Sequence, residues 1–182
     1  MRFTKALFTT ALFGASVFSS QSTAWAMEQS QIIQVEQLYK QKDFKAILAI
    51  IQPLAEQGDA IAQSLLGGVY EEGLGVKQDY FEAVKWYRKA AEQGYADAQA
   101  DLGSAYSAGR GVRQDDTEAV KWFKKAAENG SADGQLKLGL AYLLGRGIQK
   151  DRTLAKEWLN KACDNRVQKG CKFYGKLNRG DL

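Results

Sequence analysis

The heptapeptide Gly109-Arg110-Gly111-Val112-Arg113-Gln114-Asp115 sets two glycines beside two arginines. That composition would suit a loop whose backbone N–H groups wrap a phosphate. A second candidate, GCKFYGK at Gly170–Lys176, matches most of a nucleotide-binding P-loop. Its next residue is Leu177, so the hydroxyl that would hold magnesium is missing. Cys163 and Cys171 are the only thiols. With no histidine in the chain they cannot complete an ordinary structural zinc site. Ser-His-Asp and Cys-His catalysis and histidine-bound metals are excluded for the same reason. Glu71 and Glu72 are adjacent carboxylates, but successive residues of a helix point about 100° apart, which suits solvation better than a paired acid and base. No cofactor is expected.

The first heptapeptide has two cousins. GLGVKQD at Gly73–Asp79 lies 36 residues earlier, and GRGIQKD at Gly145–Asp151 lies 36 residues later. The same interval relates Leu66, Leu102 and Leu138, then Gly67, Gly103 and Gly139, Tyr70, Tyr106 and Tyr142, and Trp86, Trp122 and Trp158. KAAEQG at Lys89–Gly94 recurs as KAAENG at Lys125–Gly130 and, worn, as KACDNR at Lys161–Arg166. A fixed period of this length is the mark of stacked repeats. Each unit reads as two helices. Ala62, Leu65, Leu66, Val69 and Tyr70 follow one helical face, and Gly73 ends the helix in a left-handed turn. Asp79 caps the next helix, with Glu82 completing a capping box, and Asp115 with Glu118 repeats the device. The opening loop is therefore a helix–helix turn, whose acidic cap occupies the place a phosphate would need.

Residues 1–26 are set apart from the fold. Arg2 and Lys5, a short apolar run and the pair Ala24 and Ala26 read as a secretory signal peptide cut after Ala26. The run is too short to span a bilayer, which takes about 20 residues. Setting Arg2 and Lys5 aside lowers the formal net charge from +4 to +2, which gives no argument for nucleic acid or a membrane surface. The mature chain divides at 27–58 (a partial helix pair), 59–94, 95–130 and 131–166 (three full repeats) and 167–182 (a capping helix and polar tail).

The pattern A-x-x-x-L-G-x-x-Y-x-x-G-x-G-V-x-x-D followed by A-x-x-W-x-x-K-A-A resembles the Sel-one-like repeat family, relatives of tetratricopeptide repeats. The resemblance covers essentially all of the mature chain. It implies an all-α, right-handed solenoid of antiparallel helix pairs that binds another protein on its concave face. Bacterial members are often exported; some bridge envelope components and some are immunity proteins that neutralise toxic effectors. A periplasmic or secreted monomer, free of nucleic acid and not inserted in the membrane after signal cleavage, is expected. Gly134 departs from Ala62 and Ala98, and Cys163 from Ala91 and Ala127. Cys163 and Cys171 fall in the last turn of one helix and the first turn of the next, within reach of a disulfide, and the family's cysteine-rich bacterial branch has the same step. Two free thiols are the alternative. Some cysteine-rich relatives act weakly on β-lactams, so a hydrolase of β-lactams or cell wall is a third reading; no serine here has a lysine three residues on.

Positions that differ between repeats on the first helices should choose the partner. They are Ser64, Ala100 and Leu136; Gly68, Ser104 and Leu140; Glu71, Ser107 and Leu143; and Glu72, Ala108 and Leu144. The third repeat places leucine at all four. Leu136, Leu140 and Leu143 form a stripe that is either exposed for a partner or covered by the C-terminal helix. Tyr80, Phe81 and Asp116 vary at the start of the second helices. Lys85, Arg88, Lys121 and Lys124 read as a solvated outer face, with an acidic partner as the alternative.

Overall fold

The computed structural model describes residues 27–182; the expected signal peptide lies outside the described residues. Among the described residues there are nine helices and no strand: α1 Gln29–Gln41, α2 Phe44–Glu56, α3 Ala60–Glu72, α4 Tyr80–Glu92, α5 Ala96–Ala108, α6 Asp116–Glu128, α7 Ala132–Leu144, α8 Arg152–Asp164 and α9 Gln168–Arg179. They fall into two compact units, one ending at Ala90 and one starting at Ala91.

Helix boundaries follow from side chains that replace missing backbone partners. Asp59 Oδ1 accepts from the Ala62 N–H at 2.6 Å, Asp115 from Glu118 at 2.9 Å and Asp151 from Leu154 at 2.9 Å. The first helices end at Gly73, Gly109 and Gly145 with φ of 69°, 65° and 69°. This left-handed turn lets Leu74, Arg110 and Arg146 donate back to carbonyls five residues earlier, at 3.0, 3.0 and 3.1 Å.

The expected capping boxes are half present. Asp79 and Asp115 cap as anticipated, but Glu82 and Glu118 turn to Lys85 and Lys121 instead, at 3.1 and 2.8 Å. The reason is that the cap residues' own N–H groups are already taken. Asp79 donates to the Tyr70 carbonyl and Asp115 to that of Tyr106, each at 3.0 Å. A box does form at α1, where Glu28 N–H donates to Gln31 Oε1 at 2.9 Å.

In the first unit, Ile32, Val35, Ile47, Ile51, Leu65 and Leu66 make a core between α1, α2 and α3. Met27 is buried in it, and its N–H donates to Asp59 Oδ2 at 2.8 Å. Gly67 leaves room for Tyr87, whose ring lies 2.6 Å from where a Cβ would stand. In the second unit, Phe123, Leu138 and Ala119 form one core cluster and Leu136, Leu143, Leu159 and Leu177 another. Gly134 is explained there: a Cβ would lie 2.6 Å from that of Ala126, so the departure from alanine permits a closer crossing.

Candidate protein-binding surface

The polar residues that recur every 36 positions hold the scaffold together. Gln63, Gln99 and Gln135 each donate through Nε2 to the carbonyl of Ala55, Ala91 or Ala127, at 3.0, 3.0 and 3.5 Å. The free oxygens of Gln99 and Gln135 accept from Asn129 and Asn165 at 3.0 and 2.9 Å. This buried ladder ties each first helix to the C-terminal ends of second helices. A buried amide without such partners would cost about 1–3 kcal/mol. The sequence reading passed over these glutamines although they recur in register.

The lysines of the second helices are similarly engaged. Lys85, Lys121 and Lys161 pair with acids on their own helices at 3.1, 2.8 and 2.7 Å. The hydrogen bond from Glu118, with its charge, raises the pKa of the Lys121 ammonium above the usual lysine value. Lys89, Lys125 and Lys161 lie 4.0, 4.2 and 4.1 Å above the rings of Trp86, Trp122 and Trp158. This face is internally compensated.

The expected recognition residues separate by exposure. Leu136 and Leu143 are buried in one cluster with Leu177 of α9, and Leu140 is half-buried against it. The stripe is therefore covered. Val167, just before α9, and Phe173, Tyr174 and Leu177 on it pack in or against this cluster. Glu71 is buried and accepts from the Tyr87 hydroxyl at 2.8 Å. Ser104 is buried and donates back to the Ala100 carbonyl at 2.7 Å. Ser107 is held by a clasp: its hydroxyl donates to Asp116 at 3.2 Å, and Arg146 bonds both the Asp116 carboxylate and the Ser107 carbonyl, at 3.0 and 3.2 Å. Tyr80 is half-buried, its hydroxyl accepting from Gln78 at 3.1 Å. Leu144 is 68% exposed, and in the first unit Phe81 is 76% exposed. Both flank the glycine loop of their own repeat.

The loop that began as a phosphate candidate borders an open depression of about 460 Å³ lined by Tyr106, Val112, Arg113, Gln114 and Asp115. Asp115 caps the helix N-terminus there, accepting from the Glu118 N–H, so its own carboxylate stands where an anion would have to bind. Cys163 and Cys171 are joined in a disulfide, with Cα atoms 4.5 Å apart, that fastens α8 to α9. Among the described residues no group of three or more acidic or cysteine side chains is placed to hold a metal ion.

The Sel1 repeat family model matches residues 60–95, 96–131 and 132–166, more than half of the chain. The chain is a Sel1 repeat protein. Its fold class is accordingly the all-α solenoid of paired helices, and Sel1 repeat scaffolds are generally non-enzymatic protein-interaction modules. A Sel1 repeat protein from Oxalobacter formigenes is 36% identical with a TM-score of 0.72, over 79% of this chain and 59% of that one. A protective antigen of uropathogenic Escherichia coli strains, displaying an SLR fold, is 35% identical with a TM-score of 0.71, over 82% of this chain and 36% of that one. This Sel1 repeat chain thus spans less than two thirds of either relative's length. The cysteine-rich protein B of Helicobacter pylori shares the fold, at 23% identity and a TM-score of 0.58 over 72% of this chain and 94% of that one. A comparison with curated proteins finds no match. No helix among the described residues is long and apolar enough to cross a membrane.

One signal escaped the sequence reading. Continuing the register of Leu136, Leu140 and Leu143 by 36 residues reaches Lys172, Lys176 and Arg179 on α9. The positions that vary most between repeats end as a line of cations.

Proposed function

We propose that this protein is an exported, non-enzymatic scaffold of a bacterial envelope that captures another protein through side chains its repeats do not share. The observation that carries this reading is the exposure of large apolar groups where the repeats disagree. Leu144 stands where the other repeats have Glu72 and Ala108, and Phe81 stands where they have Thr117 and Thr153. Neither residue recurs in the other repeats, so the stacking of helix pairs does not require it, and Phe81 is 76% exposed. The candidate contact residues beside the glycine loops are Tyr80 and Phe81 in the first unit and, separately, Leu144 in the second. The disulfide supports an oxidising compartment. Cleavage after Ala26 would leave Met27, already seated in the core, as the first residue.

The test is affinity capture from the native envelope with the wild type, Leu144→Ser and Phe81→Ser, read by mass spectrometry. A protein retained by the wild type and lost by either folded variant supports the reading; identical sets from all three refute it. If the captured protein is a toxic effector, the same surface makes this chain its inhibitor, and protection of effector-exposed cells decides that. A β-lactam or cell-wall hydrolase would instead turn over a reporter substrate; none is expected.

A further inference from the structure

α9 differs in charge from every helix before it. Gln168–Arg179 carries Lys169, Lys172, Lys176 and Arg179 and no acid. The spacing of three, four and three residues puts them on one stripe, about 15 Å long at 1.5 Å per residue. Lys169, Lys172 and Arg179 are exposed and Lys176 half-buried. On α4, α6 and α8, Lys85, Lys89, Lys121, Lys125 and Lys161 meet acids or tryptophan rings, as described. Among the described residues, Arg179 is the one cation of α9 with an ion-pair partner, Asp181 at 2.9 Å. Aligned like charges oppose one another by a few tenths of a kcal/mol per pair; Lys176 and Arg179, in the last turn, are favoured there by the helix dipole, whereas Lys169 and Lys172 are not.

We propose that this stripe docks an acidic helical segment of a partner protein. This rests on the protein-binding reading above and names the chemistry of a partner for it. Two observations favour that occupant. The stripe occupies the register of the repeat-variable positions, 36 residues beyond Leu136, Leu140 and Leu143. On α7 two of those positions, Leu136 and Leu143, are buried in one cluster with Leu159 of α8 and Leu177 of α9. A helix laid on α9 in the same manner would bring carboxylates, rather than leucines, to the contact. A lipid surface fits less well. An interfacial helix needs an apolar face to insert, and the apolar residues Phe173, Tyr174 and Leu177 are already packed in the core cluster.

The probe is a fluorescently labelled alanine-based helical peptide with glutamates three and four residues apart, tested by anisotropy over a salt series. Controls are the lysine counterpart of the peptide and vesicles of phosphatidylglycerol and phosphatidylcholine. Lys172→Glu/Lys176→Glu should weaken binding of the acidic peptide roughly tenfold or more. Lys85→Glu/Lys121→Glu, which changes net charge equally on the compensated face, should leave it within about twofold. Circular dichroism checks that both variants fold. Equal losses in the two double variants, or no binding of the acidic peptide, would overturn the proposal. So would vesicle binding lost with the α9 variant in the absence of peptide binding, which would assign the stripe to lipid. If envelope capture through Leu144 or Phe81 survives such a result, the protein-binding reading stands and only α9's part in it falls.

Discussion

Two glycines in the same register should respond to alanine with opposite signs. Within a helix, glycine to alanine alone stabilises by about 0.8–1.0 kcal/mol, because alanine has less backbone entropy to lose. At Gly103 the added Cβ would stand 2.7 Å from two ring carbons of Phe123 and 3.0 Å from the Ala119 carbonyl oxygen. Favourable carbon contacts begin near 3.5 Å, so either the ring must leave its place or α5 and α6 must part. Overpacking of that kind costs about 1–3 kcal/mol. The net expectation for Gly103→Ala is a loss of about 1 kcal/mol. Gly175 is two repeats on, yet its Cβ would meet only Arg179 Nη1, at an ordinary 3.5 Å. Gly175→Ala should therefore gain about 0.5–1 kcal/mol. Urea unfolding followed by helical circular dichroism, with the m-value unchanged, measures both. Shifts of the same sign would refute the claim that these glycines are kept for the width of the helix crossing rather than for backbone freedom.

Cys163→Ser removes a bridge closing a short loop, and should cost about 2–3 kcal/mol, with fraying of α9 visible as faster amide exchange in Gln168–Arg179. Equal exchange in both proteins would show that packing alone holds the helix. Leu136→Ala, in the core beneath α9, should cost about 2–5 kcal/mol by denaturant unfolding, whereas Leu144→Ser at the exposed end of the same helix should stay within about 0.5 kcal/mol. Ser64→Ala should stabilise by up to about 1 kcal/mol, because the buried Ser64 hydroxyl has no hydrogen-bond partner and the second repeat already carries Ala100 there. A loss would point to a partner for that hydroxyl that the structure does not contain.

Much of this was legible because a 36-residue period lets each repeat check the others. The glycine turns, the aspartate caps and the helix pairs all recur, and recurrence separates a rule from an accident. The sequence misled where one group had two possible partners. Asp79 and Glu82 carry the signature of a capping box, yet the Asp79 N–H belongs to the Tyr70 carbonyl, and nothing local predicts a bond that spans the glycine loop. The leucine stripe was ambiguous for a related reason. Spacing gives the face of α7 on which Leu136, Leu140 and Leu143 lie, but what covers that face depends on how α9 docks. Leu177 was the available hint, an apolar residue in a segment read mainly as a capping helix and polar tail. The cation line lies beyond the three full repeats, so a comparison among those repeats does not reach Lys172, Lys176 and Arg179.

Repetition also decides which polar groups are available to a partner. A side chain that recurs at every repeat meets the same kind of neighbour each time, and here Gln63, Gln99, Gln135 and the aspartates that cap the second helices are consumed in that way. Side chains that change between repeats are released from that duty, though some are recaptured: Ser107 and Asp116 vary, but Arg146 binds both. Variation alone therefore does not mark a binding residue, and exposure alone does not either, since Lys85 is exposed and paired. Variation and exposure without a partner within the fold coincide at Leu144 and Phe81 for apolar contact, and at Lys172 and Lys176, one exposed and one half-buried, for charge. A protein that uses both would gain affinity from the first and approach rate from the second, so raising the ionic strength should slow its association far more than it speeds release.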